Sequence, residues 1–226
     1  MEISFTHRFI FVHVYRAGGQ SVSAALRPYA YVPNRYIARV PVVRKLGKAR
    51  IQGLRDHYYG HIKAKELEAA LPAQIFDTFF KFTFVRNPWA WQVSIYHYVR
   101  QRADHPDHAR YTEFASFSDY LDWRVHEAGV ELQKEFVMSD SGRLLVDFVG
   151  HQETLVQDFA TVSERVGIDA SLPHKNRSAH GDFREYYTAE TRALVAEAYK
   201  EDIELFGYDF DRPSALPPIP LQAGRA

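Results

Sequence analysis

The segment Phe79-Phe80-Lys81-Phe82-Thr83-Phe84-Val85 does most to limit what this chain can become. Aromatic and β-branched residues dominate it, which suits a buried strand. Pro88 follows three residues later, at the place where a proline is preferred as the first residue of a helix. The same passage from strand to helix occurs near the start. Residues 8–14 read as a mostly buried strand, Gly18-Gly19 break the chain, and Ser21 to Leu26 open a helix. Strands alternating with helices in this way predict an α/β fold with a parallel sheet. Further helices are expected over Lys63 to Leu71, from Pro88 to about Arg102, and over about 153–166 and 189–205. Ser116 with Asp119 resembles a capping box for a helix running through Glu127, after a polar loop. Two short strands are expected in 134–149 around Ser139-Asp140-Ser141-Gly142. Residues 30–56, punctuated by Pro, read as irregular or partly helical.

With 226 residues, 46% of them hydrophobic, the chain can fill one domain, expected over 1–211. The Pro-rich stretch 212–226 reads as a loose tail. There is no cysteine, which excludes disulfides, thiolate zinc sites and thiol chemistry. No run approaches the roughly 18 apolar residues of a membrane span. Phe9-Ile10-Phe11-Val12 is too short for a secretory signal, so a cytoplasmic chain is expected. The net charge is zero but unevenly spread. Residues 3–55 hold ten Lys or Arg and no Asp or Glu. Such segregation can gather an anionic ligand. Nucleic acid fits less well, since the stretch carries no reading module and the whole chain is not basic.

Two constellations carry chemistry. The first is His13-Val14-Tyr15-Arg16-Ala17-Gly18-Gly19-Gln20-Ser21, in which a strand ends, a cation follows, two glycines free the backbone and a hydroxyl opens a helix. Backbone N–H groups at such a turn, with the helix dipole behind them, can hold an oxyanion. A plain turn would have the same Gly-Gly. A Walker A loop is ruled out, because it needs Lys directly before the hydroxyl residue and Gln20 stands there. The second is Arg86-Asn87-Pro88 followed by Ser94 and Tyr96. An Arg at a strand end and a hydroxyl two turns into the next helix suit a phosphate. A structural ion pair and a helix-surface serine are the plainer alternative.

Together the two segments resemble the paired donor-binding motifs of the family 2 sulfotransferases, a group with many carbohydrate sulfotransferases. The likeness continues through Leu144 to Gly150 and on to Phe206-Gly207-Tyr208, covering about residues 8–210. It implies a P-loop-like three-layer sandwich, with a central, mainly parallel sheet flanked by helices. It also implies that 3′-phosphoadenosine-5′-phosphosulfate (PAPS) is the sulfonate donor and that the acceptor is a hydroxyl, expected on a glycan. Arg16, Ala17, Gly18, Gly19, Gln20 and Ser21 would hold the 5′-phosphosulfate, and Arg86 with Ser94 the 3′-phosphate. Lys175, Arg177 and Ser178 would come back over the nucleotide. Arg16 stands where the family has Lys, and it would stabilise charge on the bridging oxygen without donating its proton. His61, in Tyr59-Gly60-His61-Ile62, corresponds to the family's Gly-His segment and is the expected general base, ahead of His57 and of a carboxylate. The scheme requires no metal. The competing readings are a non-catalytic nucleotide- or glycan-binding homologue and a P-loop-like kinase, the latter weakened by the missing Lys.

Overall fold

The computed structural model describes residues 1–30, 61–173 and 181–212. The readings made for 31–56, for Lys175, Arg177 and Ser178, and for the Pro-rich tail beyond Arg212 lie outside the described residues. In chain order the elements are β1 (Glu2–Ser4), β2 (Phe9–Phe11), α1 (Gly19–Leu26), α2 (Ala64–Ala70), α3 (Ala73–Phe76) and β3 (Phe80–Val85). Then come α4 (Pro88–Gln101), α5 (His108–Glu113), α6 (Phe117–His126), β4 (Phe148–His151), α7 (Leu155–Val166), α8 (Ala189–Ala198) and α9 (Lys200–Phe206). The strands form an open sheet in the order β1-β2-β3-β4. β2, β3 and β4 run parallel, and β1 pairs antiparallel with β2. The α/β expectation holds, with a mixed sheet flanked by helices.

Of the described residues, 1–30, 61–85 and 135–173 form one compact unit, and 86–134 with 181–212 form a second. The first unit contains the sheet. Side chains alternate across a strand, so Phe9, Phe11, Phe82, Phe84 and Phe148 share one face, against Val22, Ala25 and Leu26 of α1 and Phe159, Val162 and Val166 of α7. Burying each such ring contributes about 1.5–3 kcal/mol. Phe11, Phe82 and Phe148 stand in register across three strands. One row on, Phe84 lies beside Gly150, where a Cβ would come within 2.6 Å of its ring. The opposite face carries Lys81, whose ammonium lies 5.2 Å from the Phe76 ring of α3. Its charge is met by Asp147 at 3.0 Å and by the Phe79 carbonyl at 2.9 Å. Asp147 also accepts the Lys81 N–H at 2.7 Å, and its own N–H donates to the Lys81 carbonyl at 2.7 Å.

The second unit is helical and aromatic. α4 buries residues around its circumference, including Trp89, Trp91, Val93, Ile95, Tyr96 and Val99. Tyr120 of α6 lies 5.2 Å from both Tyr96 and Tyr111, and its hydroxyl donates to Gln92 at 2.7 Å. The Ser116/Asp119 capping box is present as expected.

Three expectations need correction, and one strand is additional. β1 is three residues long and turns back through Phe5–Arg8, where Arg8 takes a left-handed φ of 52°. The polar loop after α4 contains a helix, α5, anchored by buried Tyr111. In 134–149 a 3-10 turn over Gln133–Phe136, a single Met138–Leu144 bridge and the entry into β4 replace two short strands. The last helix divides at Tyr199, which leaves helical geometry at ψ 19°.

Candidate active site

The first constellation forms the passage from β2 to α1. Val12 is held from both sides: its N–H donates to the Phe82 carbonyl at 2.9 Å, and its carbonyl accepts the Thr83 hydroxyl at 2.7 Å. Beyond it the backbone turns left-handed twice, at Arg16 (φ 61°) and at Gly18 (φ 83°). A non-glycine residue in that region stores about 1–3 kcal/mol and persists where its surroundings enforce it. Strain of this kind clusters at ligand clamps. The Gly18 carbonyl accepts from Ser21 and Val22, starting α1, whose first turn contains no acidic side chain to oppose an anion at the positive end of the dipole.

The two glycines are required for separate reasons. A Cβ at Gly18 would meet Leu155 of α7 at 2.7 Å, in a conformation that side chains rarely adopt. A Cβ at Gly19 would fall inside the His13 imidazole. The space beside the two Cα atoms is therefore taken by the chain's own Leu155 and His13. Ala17 is fully buried, Ser21 half-buried and Gln20 exposed.

His13 links this loop to His61. The His61 Nδ1 lies 3.1 Å from the His13 carbonyl oxygen, and the two rings are 4.5 Å apart. A carbonyl only accepts, so the Nδ1 of a neutral His61 carries the proton and Nε2 keeps the basic lone pair. Tyr15 stands edge-on at 5.9 Å. Two residues on, Lys63 stands at the start of α2, where its N–H donates to the Glu66 carboxylate at 2.8 Å and its ammonium pairs with Glu135 at 2.6 Å. Burial, with smaller contributions from the charged amino terminus and His61, lowers the His13 pKa to about 2. His13 is therefore neutral at ordinary pH. Nothing in the sequence singled it out.

The second constellation begins where β3 ends. Because β2 and β3 are parallel neighbours, their C-terminal ends leave the same edge of the sheet, the edge where α/β folds place ligands. Arg86 is buried directly after Val85, and Ser94 is buried in α4. The Asn87 side chain caps α4, accepting from Trp89 and Ala90 at 3.1 and 3.4 Å, and donates to the Asp209 carbonyl at 2.9 Å. Gln133 makes two bonds to the Arg86 backbone: Oε1 accepts its N–H at 2.8 Å and Nε2 donates to its carbonyl at 2.7 Å. Asp202 of α9 accepts the N–H groups of Gln133 and Lys134 at 2.7 and 2.8 Å.

Arg16, Ala17, Gly18, Gly19, Gln20, Ser21 and His61 thus lie in the first unit, and Arg86 and Ser94 in the second. His57, Lys175, Arg177 and Ser178 lie outside the described residues. Among the described residues no group of three or more His, Asp or Glu could hold a metal ion. No helix among them is long and apolar enough to cross a membrane.

A family model, described as "Sulfotransferase family", matches residues 2–209. The chain belongs to the sulfotransferase family. It is a transferase of sulfonate groups, and both constellations lie inside the matched stretch. Among solved structures it is similar to mouse sulfotransferase SULT7A1 complexed with PAP, with a TM-score of 0.52 and 15% identity, covering 89% of this chain and 86% of that one. Among curated proteins, an uncharacterized protein of Archaeoglobus fulgidus is 28% identical over 109 residues, 48% of this chain and 85% of that protein.

Proposed function

We propose that this sulfotransferase moves a sulfonate group from PAPS to a hydroxyl of a carbohydrate, with His61 as general base. The observation that carries the reading is the hydrogen bond from His61 Nδ1 to the His13 carbonyl, 3.1 Å long. It leaves Nε2 to take a proton, beside the loop whose backbone and Arg16 suit an oxyanion. In the transfer, the acceptor oxygen bonds to sulfur as the bridging bond from sulfur to the 5′-phosphate breaks, and the acceptor proton passes to His61 Nε2. The loop Arg16–Ser21 holds the 5′ end of the nucleotide and stabilises the charge left on its phosphate. Arg86 and Ser94 hold the 3′-phosphate. Lys175, Arg177 and Ser178 also bind the nucleotide, and residues 1–211 act as one catalytic domain. No step calls for a metal. A carbohydrate acceptor is supported by the kinship of the two motifs, and the basic residues of 35–55 favour an anionic glycan.

The test is transfer of labelled sulfonate to a panel of polysaccharides, oligosaccharides and small alcohols, with wild type and His61→Ala compared. A base touches the acceptor, not the nucleotide. His61→Ala should therefore lose about 10²–10⁴-fold in turnover while binding adenosine 3′,5′-bisphosphate within a factor of about three, under 1 kcal/mol. Full activity in the variant would assign the proton to another group. Transfer to small alcohols alone would reject the carbohydrate acceptor.

A further inference from the structure

Arg86 occupies a position that ordinary secondary structure does not support. The β3–β4 ladder ends at the pair Val85 and His151, and α4 does not begin until Pro88. A buried backbone in such a gap must still satisfy its N–H and C=O. Gln133 does both, because its side-chain amide presents an acceptor and a donor in the spacing of a neighbouring strand. One side chain thus acts as a strand one residue long.

Gln133 is fixed in turn. It is fully buried, and its N–H and that of Lys134 are taken by the two oxygens of Asp202, which is also fully buried. The Lys134 ammonium pairs with Glu201, next to Asp202 in the same helix. Burying an amide and a carboxylate costs more than filling the same volume with apolar groups, even when both are hydrogen-bonded. This costly arrangement ends on the backbone of Arg86, which Gln133 holds by both its N–H and its carbonyl.

We propose that Gln133 and Asp202 are positioning residues for Arg86 and that they set the preference of the enzyme for a 3′-phosphorylated nucleotide. The inference rests on the reading of Arg86 as the 3′-phosphate ligand. A guanidinium fork recognises phosphate through two directed bonds, so its affinity depends on where its backbone is held. A displaced guanidinium loses the length and angle of both bonds at once. Neither Gln133 nor Asp202 needs to touch the ligand.

The experiment compares dissociation constants for adenosine 3′,5′-bisphosphate and adenosine 5′-monophosphate, by calorimetry on the full chain, for wild type, Arg86→Ala, Gln133→Met and Asp202→Asn. Gln133→Met keeps the length of the side chain and removes both bonds to Arg86. The ratio of the two constants should fall about tenfold in it, equivalent to about 1.4 kcal/mol, almost entirely through weaker binding of the bisphosphate. Asp202→Asn, which keeps one of two acceptors, should lose about threefold, and Arg86→Ala should lose most. In turnover assays the donor KM should rise in the Gln133 and Asp202 variants with kcat little changed. A merely structural role would lower stability and weaken both nucleotides alike. A wild-type ratio in Gln133→Met beside a collapsed ratio in Arg86→Ala would overturn the positioning role and leave the reading of Arg86 standing. A wild-type ratio in Arg86→Ala would overturn that reading and the inference with it. Should Gln133→Met fail to fold, Asp202→Asn decides by the same ratio.

Discussion

Gly19→Ala sets two physical effects against each other. Gly19 opens α1 with ordinary helical geometry, since its φ is outside the left-handed region. Helix propensity alone therefore makes alanine stabilising, by at most about 1 kcal/mol. The added Cβ, however, would fall inside the His13 ring. That ring cannot yield freely: it stacks on Phe11 at 5.5 Å and lies 4.5 Å from His61. Overpacking a filled site typically costs about 1–3 kcal/mol. The net effect should be destabilising by about 1–2 kcal/mol, which lowers the melting temperature of a chain this size by about 2–8 °C. Urea titration of the wild type, Gly19→Ala, His13→Ala and the double variant tests the cause. With the ring removed, the alanine at position 19 should become neutral or stabilising, giving a coupling of about 1 kcal/mol or more. If Gly19→Ala alone is stabilising, or if the double variant shows no coupling, then His13 does not occupy this place.

The remaining predictions concern the same loop. The pKa of His13 is lowered in the folded chain to about 2, so between there and the ordinary value of 6.5 the unfolded chain binds the extra proton. Its contribution to stability is complete above pH 6.5 and declines as pH falls, by up to about 1.4 kcal/mol per unit. Urea midpoints between pH 7 and 5 should drop less steeply in His13→Gln. Arg16→Lys should keep activity, whereas Arg16→Ala should lose about 10²–10³-fold in kcat, as when an oxyanion donor is removed. Arg16→Gly should be equally inactive yet more stable than Arg16→Ala by about 1 kcal/mol, because glycine accepts the left-handed φ of 61° without strain. Thermal melts that rank the two variants the other way would show that Arg16 is unstrained.

What could be read from the sequence followed from local rules. Phe79 to Val85 is wholly apolar on one face, with Phe80, Phe82 and Phe84, and aromatic or β-branched at most other positions, and Pro88 marks the helix start, so β3, Arg86 and α4 were legible together. The Ser116/Asp119 box is equally local, and it appears where expected. α5 was not legible because its six residues carry one buried side chain, Tyr111, and helices that short are made by packing more than by propensity. β1 depends on a partner strand to exist. The break at Tyr199 has a tertiary cause, since the ring is fully buried at 6.2 Å from Trp91 while both flanking segments read as helix. His13, Gln133 and Asp202 illustrate the same limit within the site. Each is a common residue type, and each acquires meaning by meeting a segment between 47 and 69 positions away.

The Lys81–Asp147 pair has a consequence for how the sheet comes apart. Lys81 is the one charged residue of β3, and its ammonium is compensated by a carboxylate that immediately precedes β4. Lys81 is buried while the Asp147 side chain is about a third exposed, so losing the carboxylate leaves the ammonium desolvated with the Phe79 carbonyl as its polar partner. Peeling β4 away while β3 stays packed therefore carries an added cost, because it would leave the lysine against Phe76 without its carboxylate. The ion pair thus adds to the backbone ladder in disfavouring a partly open form with an exposed β3 edge, ready to pair with another chain.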